Sequence, residues 1–371
     1  MNALRIAYLE PFYGGSHKRF VDGLISYSRH SLELFSLPDR FWKWRTRGAA
    51  PAFYNMLSVP EAYDLIVASD MVNLAELQGL WKTEVPLVQY MHENQLTYPL
   101  EDGSEPDANY VMTDLLSMLA ADRVVFNTNF HRTALLQAAD AFVLRLPDFK
   151  PGWIVSRLAE KSEVLYPGVQ LSDRVAAARA NERSPHAGPV LLWNHRWEYD
   201  KQPNVFLALL RLLRKQGTPF LLLLLGDRAT VPHSDMIRIE QEFPLQIVFS
   251  GYAESSIAYE RWLSRADIAF SAAIQENFGI AAVEAMSAGC APLFPRRLAY
   301  PEIVPASWQE RGLYDGLEDA AARIAAWTPL DDSERGELHH HCRQFSMNHL
   351  ASRYDALFER MAVGKAGARR R

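Results

Sequence analysis

Short apolar runs alternate with helix-like segments twice along this chain of 371 residues, and a polar break separates the two series. LRIAYLE (4–10), YDLIVAS (63–69), PLVQYMH (86–92), DRVVFNT (122–128) and SEVLYPG (162–168) read as strands. Each is followed by loop chemistry and then an amphipathic stretch such as YVMTDLLSMLA (110–120). That pattern belongs to βαβ units and a parallel sheet buried on both faces. SDRVAAARANERSPHAGP (172–189) is polar and ends in Pro185, Gly188 and Pro189, as an interdomain linker does. The alternation restarts with VLLWNHR (190–196), FLLLLLGD (220–227), LQIVFSGY (245–252), ADIAFSAA (266–273) and CAPLFPRR (290–297). PNVFLALLRLLRKQ (203–216) and IAAVEAMSAG (280–289) are the helical stretches between them. A chain this long exceeds one ordinary hydrophobic core. The expected architecture is α/β, with two Rossmann-like domains at 1–171 and 190–345 and a ligand cleft between them. Ligands would bind at the carboxyl ends of the strands. A helix over about 346–363 follows, and the basic tail GKAGARRR (364–371) is expected to be disordered.

Several classes are set aside on composition. No stretch reaches the 18 or so apolar residues of a membrane span, and MNALRIAYLEPF lacks a signal-peptide layout. Cys290 and Cys342 are the only cysteines, so no disulfide framework exists and a reducing, cytoplasmic setting is expected. A net charge of −5 gives the whole chain no non-specific pull toward nucleic acid, which leaves only local basic clusters to provide one. HHHC (339–342) is discounted as a metal site, because contiguous helical residues point in different directions.

Four constellations fall where strands meet helices. In PFYGGSHK (11–18), Gly14 and Gly15 allow either a plain tight turn or close approach of a phosphate to free helix amides. In WNHRWEYDKQPN (193–204), Arg196 offers a planar fork and Lys201 a point charge. The pair suits a diphosphate, or else answers Glu198 and Asp200 on the surface. In QENFGIAAVEAMSAGC (275–290), Glu276 precedes Asn277, Phe278 and Gly279, where a helix should begin, and Glu284 lies eight residues on. Were that interval helical, the carboxylates would lie ~12 Å apart along the axis, against about 5–5.5 Å in a retaining glycosidase. The spacing suits two acceptors gripping different hydroxyls of one extended ligand, with Gly279 letting the backbone close on it. In QYMHENQLTYP (89–99), His92, Glu93, Asn94 and Gln95 form a dense polar group, where His92 could contact a sugar, shuttle a proton or simply pack the loop, and Glu93 and Asn94 are expected on the acceptor side.

The E-x7-E segment, the Arg196 and Lys201 pair, the Gly-Gly loop and YPGV (166–169) resemble GT4-type retaining glycosyltransferases of the GT-B fold. YGGSHK, WKWRTR (42–47), MHENQLTYP, WNHRWEYDK and YPEI (300–303) are similar to the tRNA-queuosine mannosyltransferase family. The resemblance implies that Arg196 and Lys201 clamp the donor diphosphate. Glu276 would hold hydroxyls of the transferred sugar and Glu284 the ribose, while Gly15 would let the backbone approach the diphosphate. His92 would lie near the sugar, and the last helix would cross back onto the first domain. It also implies retention by same-face attack, with the leaving diphosphate helping to deprotonate the acceptor, and no metal or other cofactor. The donor would be GDP-mannose and the acceptor the cyclopentenediol of queuosine in a tRNA anticodon. Base recognition is expected near Asp227 and at Gly251 and Tyr252, which follow strands of the second domain.

An RNA partner has some direct support. DRFWKWRTR (39–47) interleaves Arg40, Lys43, Arg45 and Arg47 with Phe41, Trp42 and Trp44, so that cations could meet phosphates and aromatics stack on bases. The competing reading makes the tryptophans core and the charges solvated. Two other functions stay open: glycosyl transfer to a small molecule, lipid or glycan, and a non-catalytic sugar-nucleotide module. The lipid reading would want a basic amphipathic helix in the first domain, and 110–120 has no Lys or Arg. The oligomeric state is not legible in the sequence.

Overall fold

The computed structural model describes residues 2–100, 106–171, 188–226 and 233–368, with side chains through 363. Residues 172–187 of the expected linker and Asp227 lie outside the described residues, as do 369–371. The chain divides into two compact units, one formed by Met1–Gln170 with Phe345–Arg371 and the other by Leu171–Gln344.

The first unit contains β1 (Arg5–Tyr13), α1 (Gly15–Tyr27), β2 (Ser31–Pro38), α2 (Trp42–Met56), β3 (Leu65–Ser69) and α3 (Leu74–Trp81). They are followed by β4 (Leu87–Met91), α4 (Ala108–Ala120), β5 (Arg123–Phe126), α5 (Asn129–Arg145), α6 (Trp153–Glu160) and β6 (Ser162–Val164). The six strands form one parallel sheet in the order β2-β1-β3-β4-β5-β6. Successive strand side chains point to opposite faces. Ala7 and Leu9 therefore join the core under α2 to α6, while Ile6 and Tyr8 join the core on the other face. β2 is absent from the strands expected above. In SLELFSLP the polar Ser31, Glu33 and Ser36 interrupt the apolar run, as a half-exposed edge strand allows.

The second unit contains β7 (Val190–Trp193), α7 (Pro203–Gln216), β8 (Leu221–Leu225), α8 (Ser234–Glu242), β9 (Ile247–Gly251) and α9 (Ser256–Leu263). Next come β10 (Ile268–Phe270), α10 (Ile280–Ser287), β11 (Ala291–Pro295), α11 (Tyr300–Ile303) and α12 (Gln309–Gly312). β12 (Leu313–Tyr314), α13 (Leu317–Ala325) and α14 (Asp332–Cys342) complete it. Its sheet is also six-stranded and parallel, in the order β12-β11-β10-β7-β8-β9. α7 shows how sequence sets a boundary. Pro203 opens the helix, Gly217 closes it in the left-handed region at φ 70°, and Phe206, Leu209, Leu210 and Leu213 form its buried stripe. β12 has two residues, too few for any periodicity to announce it.

A last helix, α15 (Met347–Ala368), belongs to the first unit. Its residues Met347, Leu350, Tyr354, Leu357 and Phe358 complete the core around Ile6, Tyr8 and Phe20. The Tyr354 hydroxyl donates to the Tyr166 carbonyl (2.8 Å), and across a short parallel bridge the Val169 amide donates to the Phe345 carbonyl (2.8 Å) while its carbonyl accepts from the Met347 amide (2.9 Å). The backbone stays helical through Ala368. Lys365, Ala366 and Ala368 are adequate helix formers and carry the element on. Among the described residues, no helix is long and apolar enough to cross a membrane.

The helix docks tightly at Gly168, where an added Cβ would lie 2.6 Å from the Met347 Cα. Gly168→Ala should therefore cost about 1–3 kcal/mol of stability through overpacking. Urea denaturation reads this directly, and an unchanged midpoint would mean that the helix is not held there.

Candidate active site

In the second unit the functional residues collect along the carboxyl edge of the sheet. β7 and β10 are hydrogen-bonded neighbours, and the loops that leave them carry Asn194 to Gln202 and Ser271 to Gly279. Lys201 joins the two. Its ammonium donates to the Gln275 carbonyl (2.8 Å) and lies 3.2 Å from Asp200 Oδ2 and 3.4 Å from Glu276 Oε2. The Ile274 amide donates to the Asp200 carbonyl (2.9 Å), a second tie between the same loops. Burial works against the Lys201 charge, but Glu276 and Asp200 outweigh it, so the ammonium is held above its ordinary range. Arg196 stays on the surface, with Nη2 3.2 Å from Glu198 Oε2.

Glu276 stands in the loop, and α10 begins only at Ile280, so the interval to Glu284 is not helical throughout. The turn is made by Gly279 at φ 98°, where a side chain would also press on Ile303. Asn277 and Phe278 are buried, which leaves backbone rather than the Phe278 ring to meet a ligand. Glu284 accepts from the Tyr259 hydroxyl (2.9 Å), which in turn accepts from Asn194 Nδ2 (3.1 Å). The two glutamates are thus each tied to the loop after β7, one through Lys201 and the other through Asn194. Gly251 ends β9 at φ 145°, and Tyr252 beside it is 76% exposed. The Gly226 amide donates to the Gly251 carbonyl (3.2 Å). A Cβ on Gly226 would strike the His195 carbonyl at 2.1 Å, so the end of β8 needs glycine.

In the first unit the carboxyl edge carries a second group. Gly15, at φ 50°, turns the chain from β1 into α1. Gly14 fits because a Cβ there would overlap the Asp39 carboxylate. The turn places His17 on Glu10, with Nδ1 3.2 Å from Oε1. That same carboxylate oxygen accepts from the Phe12 amide (2.9 Å) and from Ser69 Oγ (3.2 Å). His92 follows β4, and its ring lies 4.0 Å from the His17 ring at a 33° tilt. Among the described residues, the atoms of metal-ligating type that gather most closely belong to Glu10, His17 and His92, within 4.8 Å of one another. Protein donors occupy Glu10 Oε1 there. Burial opposes a charge on His17, but Glu10, with Asp70 and Glu93 beyond it, raises its pKa to about 9. Burial, then His17 and His131, push His92 well below its ordinary value.

The loop after His92 is held from beneath. Asn94 Oδ1 accepts from the Leu96 (3.0 Å) and Thr97 (2.8 Å) amides. Its amide nitrogen bonds Thr97 Oγ1 (2.8 Å) and His131 Nε2 (2.9 Å). Asn94 is buried, and with both side-chain polar atoms hydrogen-bonded it shapes the loop. The Glu93 amide donates to buried Asp70 (3.1 Å), and Gln95 N to Asp114 (3.0 Å). Burial lifts Asp114 to about 7 and drops His131 to about 3.

The aromatic and basic segment forms the start of α2. Trp44 is 63% exposed and Phe41 71%, so neither is core. Trp42 leans on Tyr110 of α4 (5.8 Å), Lys43 lies over Trp42, and Arg47 lies over Tyr110. Arg45 differs from its neighbours: its guanidinium donates to the Pro38 carbonyl (3.0 Å from Nη2), which joins the helix to β2. Sequence reasoning missed Glu10, His17, Asp70, Asn127, His131, Asn194, Gly226 and Tyr259. Position immediately after a strand was the available signal for Asp70 in VASD and for Asn194 in LLWN.

Known proteins share both parts of this arrangement. Residues 5–169 match the family model described as tRNA-queuosine alpha-mannosyltransferase N-terminal, and residues 175–327 match that of glycosyl transferases group 1. Sucrose-phosphate synthase from Thermosynechococcus elongatus superposes with a TM-score of 0.69 at 16% identity, over 97% of this chain and 100% of that one. The catalytic domain of starch synthase IV from Arabidopsis thaliana gives 0.69 at 12% identity, over 98% and 100%. With the two parallel six-stranded sheets, these likenesses establish the GT-B fold. The tRNA-queuosine alpha-mannosyltransferase of Drosophila melanogaster is 34% identical over 312 residues, which cover 81% of each chain. The chain is therefore a glycosyltransferase and belongs to the tRNA-queuosine alpha-mannosyltransferase family.

Proposed function

We propose that the protein transfers mannose from GDP-mannose to the cyclopentenediol of queuosine in a tRNA anticodon, with retention of anomeric configuration and in the cytoplasm. Family membership supports the acceptor and the reaction. The observation that carries the donor reading is the junction of Lys201 with Asp200, Gln275 and Glu276 at the carboxyl edge of β7 and β10. In it a permanent cation stands beside a carboxylate that can accept from sugar hydroxyls.

In this reading Lys201 and the exposed fork of Arg196 hold the donor diphosphate and stabilise the charge that grows on it as the glycosidic bond breaks. Glu276 takes hydroxyls of the mannose, and Glu284, oriented by Tyr259, takes the ribose diol. The backbone at Asn277 to Gly279 closes on the donor, while Gly251 and the exposed Tyr252 lie where the nucleobase is read. The α1 amides have no side-chain cap and suit an anion, with Gly14 and Gly15 letting it approach. His92 contacts the transferred sugar, and the leaving diphosphate helps take the acceptor proton. None of these steps calls on a metal.

For the acceptor, Trp44 and Phe41 offer stacking faces for unpaired bases. Lys43, Arg47 and Arg40 offer cations for the backbone, and Trp42 braces the group against Tyr110. Arg45 supports the helix start instead, and Glu93 stays at the rim of its loop.

Queuosine-containing tRNA should lose its boronate-gel retardation when incubated with the protein and GDP-mannose, because glycosylation blocks a diol hydroxyl. Unchanged mobility with folded protein and a panel of sugar nucleotides would sink the proposal. Glu276→Ala should lower kcat/KM about 10- to 100-fold, as expected for a lost hydrogen bond to a charged group. Trp44→Ala should raise the KM for tRNA about fivefold or more, from a stacking loss of about 1–3 kcal/mol. Its KM for donor should stay as in the wild type. A tRNA KM that does not move would remove this segment from the interface.

A further inference from the structure

We propose that Glu10 and His17 are positioning residues for His92: the Glu10 carboxylate anchors His17 through Nδ1, and the adjoining His17 ring fixes the orientation of His92 at the carboxyl edge of the sheet. The inference rests on the reading above in one respect, that His92 meets the transferred sugar. Its geometry stands by itself.

The three side chains form layers. Glu10 is fully buried, His17 nearly so, and His92 is partly exposed above them. Glu10 Oε1 is fixed by three donors, so the His17 ring has one seat. Against that ring His92 lies at 4.0 Å and a 33° tilt, while Phe20 of α1 (5.1 Å) and Tyr90 of β4 (4.8 Å) make T-shaped contacts with it. Behind it Asn127 Nδ2 donates to the His92 carbonyl (2.9 Å), and Asn127 is itself fixed by His131 Nδ1 (2.8 Å). A ring packed against three others and held by its own backbone carbonyl is kept to one orientation. The Gly14-Gly15 turn acquires a second purpose, because it delivers His17 onto Glu10.

Charge reinforces the clamp. The groups around His92 are Glu10 from β1, His17 from α1, Asp70 after β3, Tyr90 from β4, Glu93 from its own loop, His131 from α5 and Tyr354 from α15. Burial, and then the cationic His17 beside it, disfavour a proton on His92, so in this reading it meets the sugar uncharged. For His17 the folded-state pKa of about 9 lies above the ordinary 6.5. Its stabilisation is therefore complete below pH 6.5 and is lost as pH rises through about 9.

The test compares wild type, Glu10→Gln, His17→Phe and the double variant in the full chain. His17→Phe alone leaves a buried carboxylate uncompensated and can unfold the unit, whereas the double variant removes both charges and keeps the packing. We expect kcat to fall about tenfold or more in each, the double variant to lose no more than the worse single one, and the donor KM to change less than ~2-fold. The acid limb of the pH profile should move to higher pH, since His92 then takes its proton more easily. Titration of the His92 ring by NMR with labelled histidine should show the same upward move without any turnover. That arm holds if the acceptor assignment fails, and so separates the two claims. Additive losses, or an acid limb and a His92 titration that stay where they are in the wild type, would overturn the proposal.

Discussion

A buried ammonium cannot remain charged without anions around it, and the second unit is arranged around the one at Lys201. Its three partners come from two loops: Asp200 from the loop after β7, and Glu276 and the Gln275 carbonyl from the loop after β10. Removing Lys201 would leave the buried Asp200 carboxylate uncompensated, at a cost of about 3–5 kcal/mol. The junction therefore fixes where Glu276 stands before any ligand arrives. Asn194 and Tyr259 extend the same loop to Glu284. Both carboxylates are in place because the edge between β7 and β10 is cross-linked by polar contacts.

The first unit applies the same physics with the signs reversed. There the fully buried group is the Glu10 carboxylate, and the ion that answers it is His17. Unlike lysine, histidine titrates near neutrality, and only the carboxylate keeps it charged over most of the physiological range. Each unit thus has an ion pair at the carboxyl end of a parallel sheet, which is where α/β sheets bind ligands. Neither pair is reached easily by solvent, so both retain their strength in salt.

Much of this was legible in advance, and the failures share causes. The inner strands were readable because both of their faces are buried, which leaves apolar runs such as LLLLL at Leu221–Leu225. β2 was not, because an edge strand exposes one side and takes polar residues there. Glu276, Arg196, Lys201 and His92 stood out as charged or titratable residues in the loops that follow strands, and Glu284 by its spacing from Glu276. Asn94 stood out as one more polar residue of such a loop, and its part in loop packing rests on its bonds to nearby Thr97 and to His131 on a later helix. The same limit hid Glu10 and His17. Inside β1 and α1 they look like one polar residue in a strand and one in a helix, and only the turn at Gly15 brings them together.

The reaction is defined by which sugar is joined to which acceptor, and with what anomeric configuration. Nucleoside analysis by mass spectrometry and NMR, on tRNA containing queuosine incubated with the protein and GDP-mannose, tests it most directly. The predicted product is queuosine carrying one α-linked mannose on its cyclopentenediol, with GDP released in equal amount. Queuosine recovered unmodified, or a β-linked sugar, would contradict it.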